Sequence, residues 1–415
     1  MKIKLKKAVV LMSLIVPCLA HSQAVSEYTF TKNGGDLNNI KGTIAAANAS
    51  LVEKSHMPEF NSVGHISGCT ATWLGDDDEW VYILSAAHCN NAKTDVANTG
   101  YVFYADDYKT IIGKGPGKIY TVPERNHRPA GYGGASTDLE ILKLVKAADF
   151  VDSNGKKVVK PVLYDGTEEK GLPVQFVGYG IWGVGLALTT IESRMTTTSI
   201  IDSIFEQDHG ISAGYEPVKE SEKWGSTTPG DSGSAWWQTH HGIKTIIAVT
   251  NGGGERSSTG PRVSQYIDWI KTVYPDVDIL SEHAFDWSDN DRKGTIGDLY
   301  VYNNPYNYQT EYFMLSGLGS DSRYWYFPTD KTNNNYWRYL GTNKQDALQH
   351  IADLKGYKNW SSNNHQGTAK DVYVYYNPYN NDTELFELKQ TGEYGYFPTD
   401  KKDNKYWTYI KTVKY

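Results

Sequence analysis

The residues best suited to chemistry lie in Thr228-Pro229-Gly230-Asp231-Ser232-Gly233-Ser234. Glycines and small residues keep such a turn open. They lift the Ser232 hydroxyl from the surface and leave backbone N–H groups for a developing oxyanion. A serine hydroxyl is a poor nucleophile at neutral pH. It needs a base within hydrogen-bond reach, and the base needs an acceptor that fixes its tautomer. Two upstream segments carry those residue types. His88 follows the apolar, β-rich run Trp80-Val81-Tyr82-Ile83-Leu84 and two small residues, which puts it at a strand end. Asp138 precedes a strand in which Leu139, Ile141 and Leu144 point toward a core, with one break in the alternation. Each signal is bland alone: Gly-Asp-Ser-Gly occurs in surface turns, a histidine beside a cysteine is usually structural, and an aspartate before a strand is usually a turn residue. Together they read as an acyl-transfer triad.

The chain order His88, Asp138, Ser232 is that of the chymotrypsin-type template, not of subtilisin or the α/β-hydrolases. From about Ile40 to Tyr274 the chain resembles a trypsin/chymotrypsin-like serine peptidase. Five stretches carry the resemblance: Ser85-Ala86-Ala87-His88-Cys89, Thr137-Asp138-Leu139-Glu140-Ile141-Leu142, Gly230-Asp231-Ser232-Gly233-Ser234, Val249-Thr250-Asn251-Gly252-Gly253, and Arg262 to Ile270. It implies an all-β fold, with a double six-stranded β-barrel and a C-terminal helix over residues 40–274. It also implies protein substrates, no cofactor and no metal. The oxyanion hole would be the N–H groups of Gly230 and Ser232. Ser226, six residues before the nucleophile, would floor the primary pocket, and Thr250, Asn251 and Gly252 would pair with an extended substrate. A neutral floor argues against a demand for Lys or Arg, although Glu220 and Glu222 are close in sequence. The family's zymogen logic would pair a new N-terminus at Ile40 with Asp231, making residues 25–39 a propeptide. Lysine follows Ile40 and Asn39 precedes it, both departures from the family pattern. The alternative is an intact mature chain from Val25.

Export is expected. Met1 to Lys7 is basic, Ala8 to Ala20 is mostly apolar, and Ser22-Gln23-Ala24 offers small residues for cleavage, which gives a signal peptide over residues 1–24. The apolar run is short for a membrane span. The destination is extracellular, with the periplasm as the alternative. Removing the leader discards Cys18 and leaves Cys69 and Cys89, which most simply form one disulfide. The resemblance places a bridge at those two positions, closing a loop that stabilises by roughly 3 kcal/mol. The net charge of −7 is modest and its basic residues are dispersed, which excludes a nucleic-acid binder. Asp76-Asp77-Asp78 and Asn380-Asn381-Asp382 read as solvated turns.

Beyond a linker at 275–284 the composition changes: 19 of the 31 tyrosines lie between residues 285 and 415. The segment repeats itself. Asp298 to Asn307 returns as Asp371 to Asn380, Tyr326 to Lys331 as Tyr396 to Lys401, Trp337 as Trp407, and Trp287 as Trp360. Two aromatic-rich all-β modules are expected, at 285–341 and 357–415, joined by a helical connector at 342–356 in which Lys344 to Leu354 is amphipathic. Alternating Tyr-Val-Tyr strands and Asn-Pro turns give the β reading. Two roles stand for these aromatics. They stack on sugar rings of a glycan or extracellular polymer, with duplication adding avidity, or they fill two small cores. For the whole chain the choice is between an exported serine endopeptidase and a glycan-binding adhesin whose peptidase-like domain is incidental.

Overall fold

The β-branched and aromatic runs around His88 and Asp138 form strands that close on themselves. In the computed structural model, which describes residues 23–66, 68–90, 101–105, 109–122, 137–205, 209–286, 292–325, 333–359, 365–377, 379–380, 382–395 and 400–413, six strands make a closed barrel. Their order is Val63–Ile66, Cys69–Asp76, Trp80–Ser85, Glu140–Lys146, Ile111–Thr121 and Val102–Tyr104. Closure leaves no unpaired edge. Ile66, Trp73, Val81, Ile83, Phe103, Ile112, Leu142 and Leu144 fill the barrel. Leu139 and Ile141 are also buried. The break in alternation therefore marks a strand covered on both faces, not an irregular one.

The second half is built on a larger sheet. A nine-stranded sheet runs 252–254, 257–261, 210–214, 195–205, 173–178, 235–240, 243–249, 162–163 and 278–279. Ala248, in the strand 243–249, also pairs with Arg262, the residue that follows the strand 257–261. Val162–Leu163 adds to Ile243–Val249 in parallel. A buried ion pair braces this half, with Arg262 Nε donating to Glu169 Oε1 at 2.6 Å and Nη2 to Oε2 at 2.8 Å. The C-terminal helix spans Ile267–Val273 and buries Ile267 and Ile270.

The N-terminal segment differs most from expectation. Gln23 and Ala24, read above as the end of the leader, belong with Val25 to a buried strand. It lies between Ile181–Val184, to which it is parallel, and Gly225–Ser226, to which it is antiparallel. In the full-length chain Ile40 is the first residue of the helix Ile40–Ala47. Asn39, an odd residue before a cleavage point, is a good helix cap, and its Oδ1 accepts the Gly42 N–H. Ile44, Ala47 and Leu51 pack with Val25, Phe30, Trp182, Val184 and Met195.

Residues 279–415, with 241–243, form a separate compact unit. It holds two four-stranded sheets of the same design. In one, Ala284–Asp286 pairs in parallel with Leu299–Asn304, which pairs with Gln309–Leu315, then Trp337–Gly341. In the other, Lys358–Asn359, Val372–Tyr376, Thr383–Leu388 and Trp407–Val413 repeat that order. Trp337 and Trp407 are fully buried, edge-on to Tyr300 and Tyr373. Buried Glu311 and Glu384 each accept amides from two hairpin asparagines, Asn304 and Asn307 or Asn377 and Asn380. At these tips Tyr306 and Tyr379 are both 79% exposed. The helix Lys344–Leu354 buries Ala347, His350 and Leu354, while Leu348 and Ile351 are only half-buried. Trp287, Trp360 and the Tyr-Phe-Pro-Thr stretches at 326–329 and 396–399 lie outside the described residues.

Candidate active site

Register brings the base and the acid together. Ser85 and Glu140 are paired residues on neighbouring strands. His88 lies three residues beyond Ser85, in a short 3-10 turn (Ala87–Cys89), and Asp138 two residues before Glu140, so both leave the barrel at the same end. The Cys69–Cys89 disulfide ties the residue after His88 to the first residue of the adjoining strand. Asp138 Oδ1 accepts the backbone N–H of His88 at 2.8 Å, and Oδ2 meets His88 Nδ1 at 2.6 Å. That contact fixes Nδ1 as the protonated nitrogen and leaves Nε2 as a base, 2.8 Å from Ser232 Oγ. The Asp138 hydrogen bond raises the His88 pKa above the usual imidazole value, against partial burial. Glu140, wholly buried and bonded to Asn90, is pushed up to about 9 by loss of water.

Ser232 is presented by a turn anchored in the barrel. Thr70, next to the disulfide, donates its N–H to Ser232 O and its hydroxyl to Gly230 O, both at 2.9 Å. The same hydroxyl accepts Tyr179 N–H at 2.9 Å. Gly233 has φ +81°, and a Cβ there would lie 2.2 Å from Ser85 Oγ and 2.3 Å from Thr70 O, so only glycine fits. Gly233 N–H donates to Thr250 O, and Ser234 N–H to Asp231 O. Among the described residues, the N–H groups of Gly230 and Ser232 have no backbone acceptor.

Asp231 points away from the nucleophile and is fully buried. Its Oδ1 accepts Gly180 N–H at 2.9 Å and the Gln23 side-chain amide at 3.2 Å, while Oδ2 has no hydrogen-bond partner. In the full-length chain the residue reaching it from the N-terminal segment is Gln23, not Ile40. Burial pushes the Asp231 carboxyl up to about 7, against its hydrogen bonds from Gly180 and Gln23.

Ser226 is buried and pairs through its backbone with Ala24. Its hydroxyl lies 3.2 Å from that of Ser258, which also accepts the N–H and the hydroxyl of Thr227 at 2.9 Å each. Glu220 and Glu222 are exposed and lie outside this hydroxyl cluster. Gly252 pairs with Thr259 at the sheet edge. The Thr250 side chain turns inward, to Ser234 Oγ at 2.7 Å and Trp236 Nε1 at 2.8 Å. Sequence reasoning missed Gln23, Thr227 and Ser258, and placed Asn251 only in the substrate-pairing strand, not at Asp138. Asn251 and Ser258 reach partners far along the chain, and Gln23 was hidden by the leader boundary. Cys69, His88 and Cys89 lie close enough to share an ion, but both sulfurs are committed to the disulfide. No helix among the described residues is long and apolar enough to cross a membrane. A family model described as Trypsin matches residues 52–270, more than half of the chain, and its span contains His88, Asp138 and Ser232.

Proposed function

The chain therefore belongs to the trypsin family, and from that premise we propose that it is an exported serine endopeptidase working through an acyl-enzyme on Ser232. Family membership makes it a serine-type peptidase that acts on protein substrates. The observation that carries the mechanism is the unbroken line from Asp138 through His88 to Ser232, with contacts of 2.6 and 2.8 Å. Ser232 Oγ attacks the scissile carbonyl as His88 Nε2 takes its proton. His88 then gives that proton to the leaving amine, and Asp138 stabilises the imidazolium meanwhile. The N–H groups of Gly230 and Ser232 hold the tetrahedral oxyanion, worth about 3 kcal/mol per donor. Water regenerates the hydroxyl by the reverse path.

The hydroxyl cluster of Ser226, Thr227 and Ser258 supports a preference for uncharged side chains at the cleavage site, because a buried cation needs a carboxylate. A peptide-library profile checks this, and strict cleavage after Arg or Lys would contradict it. Export rests on the basic and apolar residues ahead of Gln23. The exposed Tyr306 and Tyr379 support a surface-directed role for residues 285–415, with a glycan or extracellular polymer as the target. Retention of the full chain on chitin, mucin or cellulose, lost in Tyr306→Ala/Tyr379→Ala, is the expected result. For the central reading, Ser232→Ala should lower casein hydrolysis roughly a million-fold and abolish fluorophosphonate labelling. Undiminished proteolysis in that variant would overturn the mechanism.

A further inference from the structure

We propose that Glu140 is a positioning residue for the catalytic base, its buried carboxyl clasping the turn that carries His88, and that it does so as the neutral acid. The proposal rests on the peptidase reading above. The turn leaves its strand at Ser85 and ends at Asn90, which caps Ala87–Cys89 and donates its N–H to Ala87 O. Glu140 holds both ends of it. Its backbone pairs with Ser85, and its Oε1 accepts the side-chain amide of Asn90. In the barrel the strand Trp80–Ser85 lies between Cys69–Asp76 and Glu140–Lys146. The turn that it feeds is therefore held from both neighbours, by the Cys69–Cys89 disulfide on one side and by Asp138 and Glu140 on the other. Without the Asn90 contact the far end of the turn keeps the disulfide alone, and His88 Nε2 is free to drift from its 2.8 Å contact with Ser232.

The surroundings dictate the neutral form. Glu140 is 0% and Asn90 6% exposed, and Glu140 Oε2 has no hydrogen-bond partner. A carboxylate there would meet no water, no cation among the described residues and a single neutral amide. The titratable groups facing it are Asp138, at the entrance to its own strand, and Tyr101, just ahead of the strand Val102–Tyr104. His88 lies beyond Asp138. Asp138 has to stay ionised to steady the imidazolium, and its charge disfavours a second one two residues along. Burial first, and that charge second, push the Glu140 carboxyl up to about 9. Loss of its proton sets two carboxylates against each other in a dry site, and the repulsion is relieved by opening the turn to water. The base then leaves its place, so activity falls on the alkaline side, while the acid limb belongs to His88.

The test uses the full chain as wild type, Glu140→Gln, Glu140→Ala and Ser232→Ala. It reads kcat and KM on a peptide anilide from about pH 5 to about pH 10, and the infrared carbonyl band of a protonated carboxylic acid. Wild type should show an alkaline limb in kcat near pH 9, with the band lost over the same range. Glu140→Ala should lower kcat about 10-fold at pH 7 with KM within about two-fold. Glu140→Gln keeps the acceptor for Asn90 and has no proton to lose. It should rescue kcat, lack the band, and move the alkaline limb upward by about one pH unit or more. A limb at the same pH in wild type and Glu140→Gln overturns the proposal. So does wild-type kcat in Glu140→Ala, an effect confined to KM, or the absence at pH 7 of a band that Glu140→Gln removes. Should Glu140→Ala not fold, the near-isosteric Glu140→Gln decides alone through the limb and the band. A wild type without Ser232-dependent fluorophosphonate labelling overturns the peptidase reading instead, while the infrared band still reports on Glu140.

Discussion

Replacing Asp231 with asparagine should stabilise the protein in a pH-dependent way. The side chain is wholly buried, one oxygen is unpartnered, and its donors are neutral groups, Gly180 N–H and the Gln23 amide among them. Burial therefore lifts the carboxyl from 3.8 to about 7 in the folded chain. The native state then holds the proton more tightly than the unfolded chain. Stability linked to Asp231 is complete below pH 3.8 and is lost as pH rises through about 7. Each pH unit inside that window is worth about 1.4 kcal/mol. The loss between pH 5 and pH 8 is therefore on the order of 3 kcal/mol. The asparagine side chain of the variant keeps the acceptor for Gly180 and carries no charge, so it should escape the loss. Urea denaturation of wild type and Asp231→Asn, followed by tryptophan fluorescence at pH 5, 6, 7 and 8, measures the difference directly. The gap should widen with pH in favour of the variant. A gap that is constant over this range, or a wild type more stable than Asp231→Asn at pH 8, would refute the reasoning and mean that a cation reaches Asp231.

Two further outcomes follow from the same site. Gly233→Ala forces an L residue to φ +81° with its Cβ inside contact distance of Ser85 and Thr70. It should cost more than about 2 kcal/mol, read as a lowered Tm together with lost fluorophosphonate labelling. The Asp138 hydrogen bond raises His88, so the acid limb of kcat/KM should lie above pH 6.5, activity falling as the protonated ring ceases to act as a base. A pH–rate profile with its acid limb below that value contradicts the assigned contact.

The grouping of His88, Asp138 and Ser232 was legible because each sits in a local pattern with its own reason. Small residues after an apolar run end the strand before His88, a polar residue starts the strand after Asp138, and Gly230 and Gly233 take the positive φ the Ser232 turn requires. Cys69 and Cys89 were legible as the only cysteines left after Cys18. The strands around the barrel followed from their residue types, and the short helix at Lys344–Leu354 from its period. What escaped were features whose meaning lies in a distant partner. Nothing local says that Asn251 rather than Thr250 meets Asp138, 113 residues away. Gln23 follows a run that looks like a leader, and only the pairing with Trp182 and the amide on Asp231 shows its role in the fold. Asn39 was read as a flank of a cleavage point when it caps a helix. The short strands Val162–Leu163 and Asp278–Ile279, which extend the second sheet, carry no periodicity that a sequence reading could find.

Thr70 has a consequence for the order of events in the life of the chain. Its N–H and hydroxyl hold the serine turn from the opposite half of the peptidase, and Cys69 beside it holds the histidine loop. The nucleophile therefore has no rigid platform until the barrel has formed, and the barrel alone has no nucleophile. Chain elongation separates these parts by 160 residues, since Thr70 must await Gly230. A chain made only through the barrel thus lacks the Ser232 turn that Thr70 holds, and that turn needs the barrel's Thr70 for two of its hydrogen bonds.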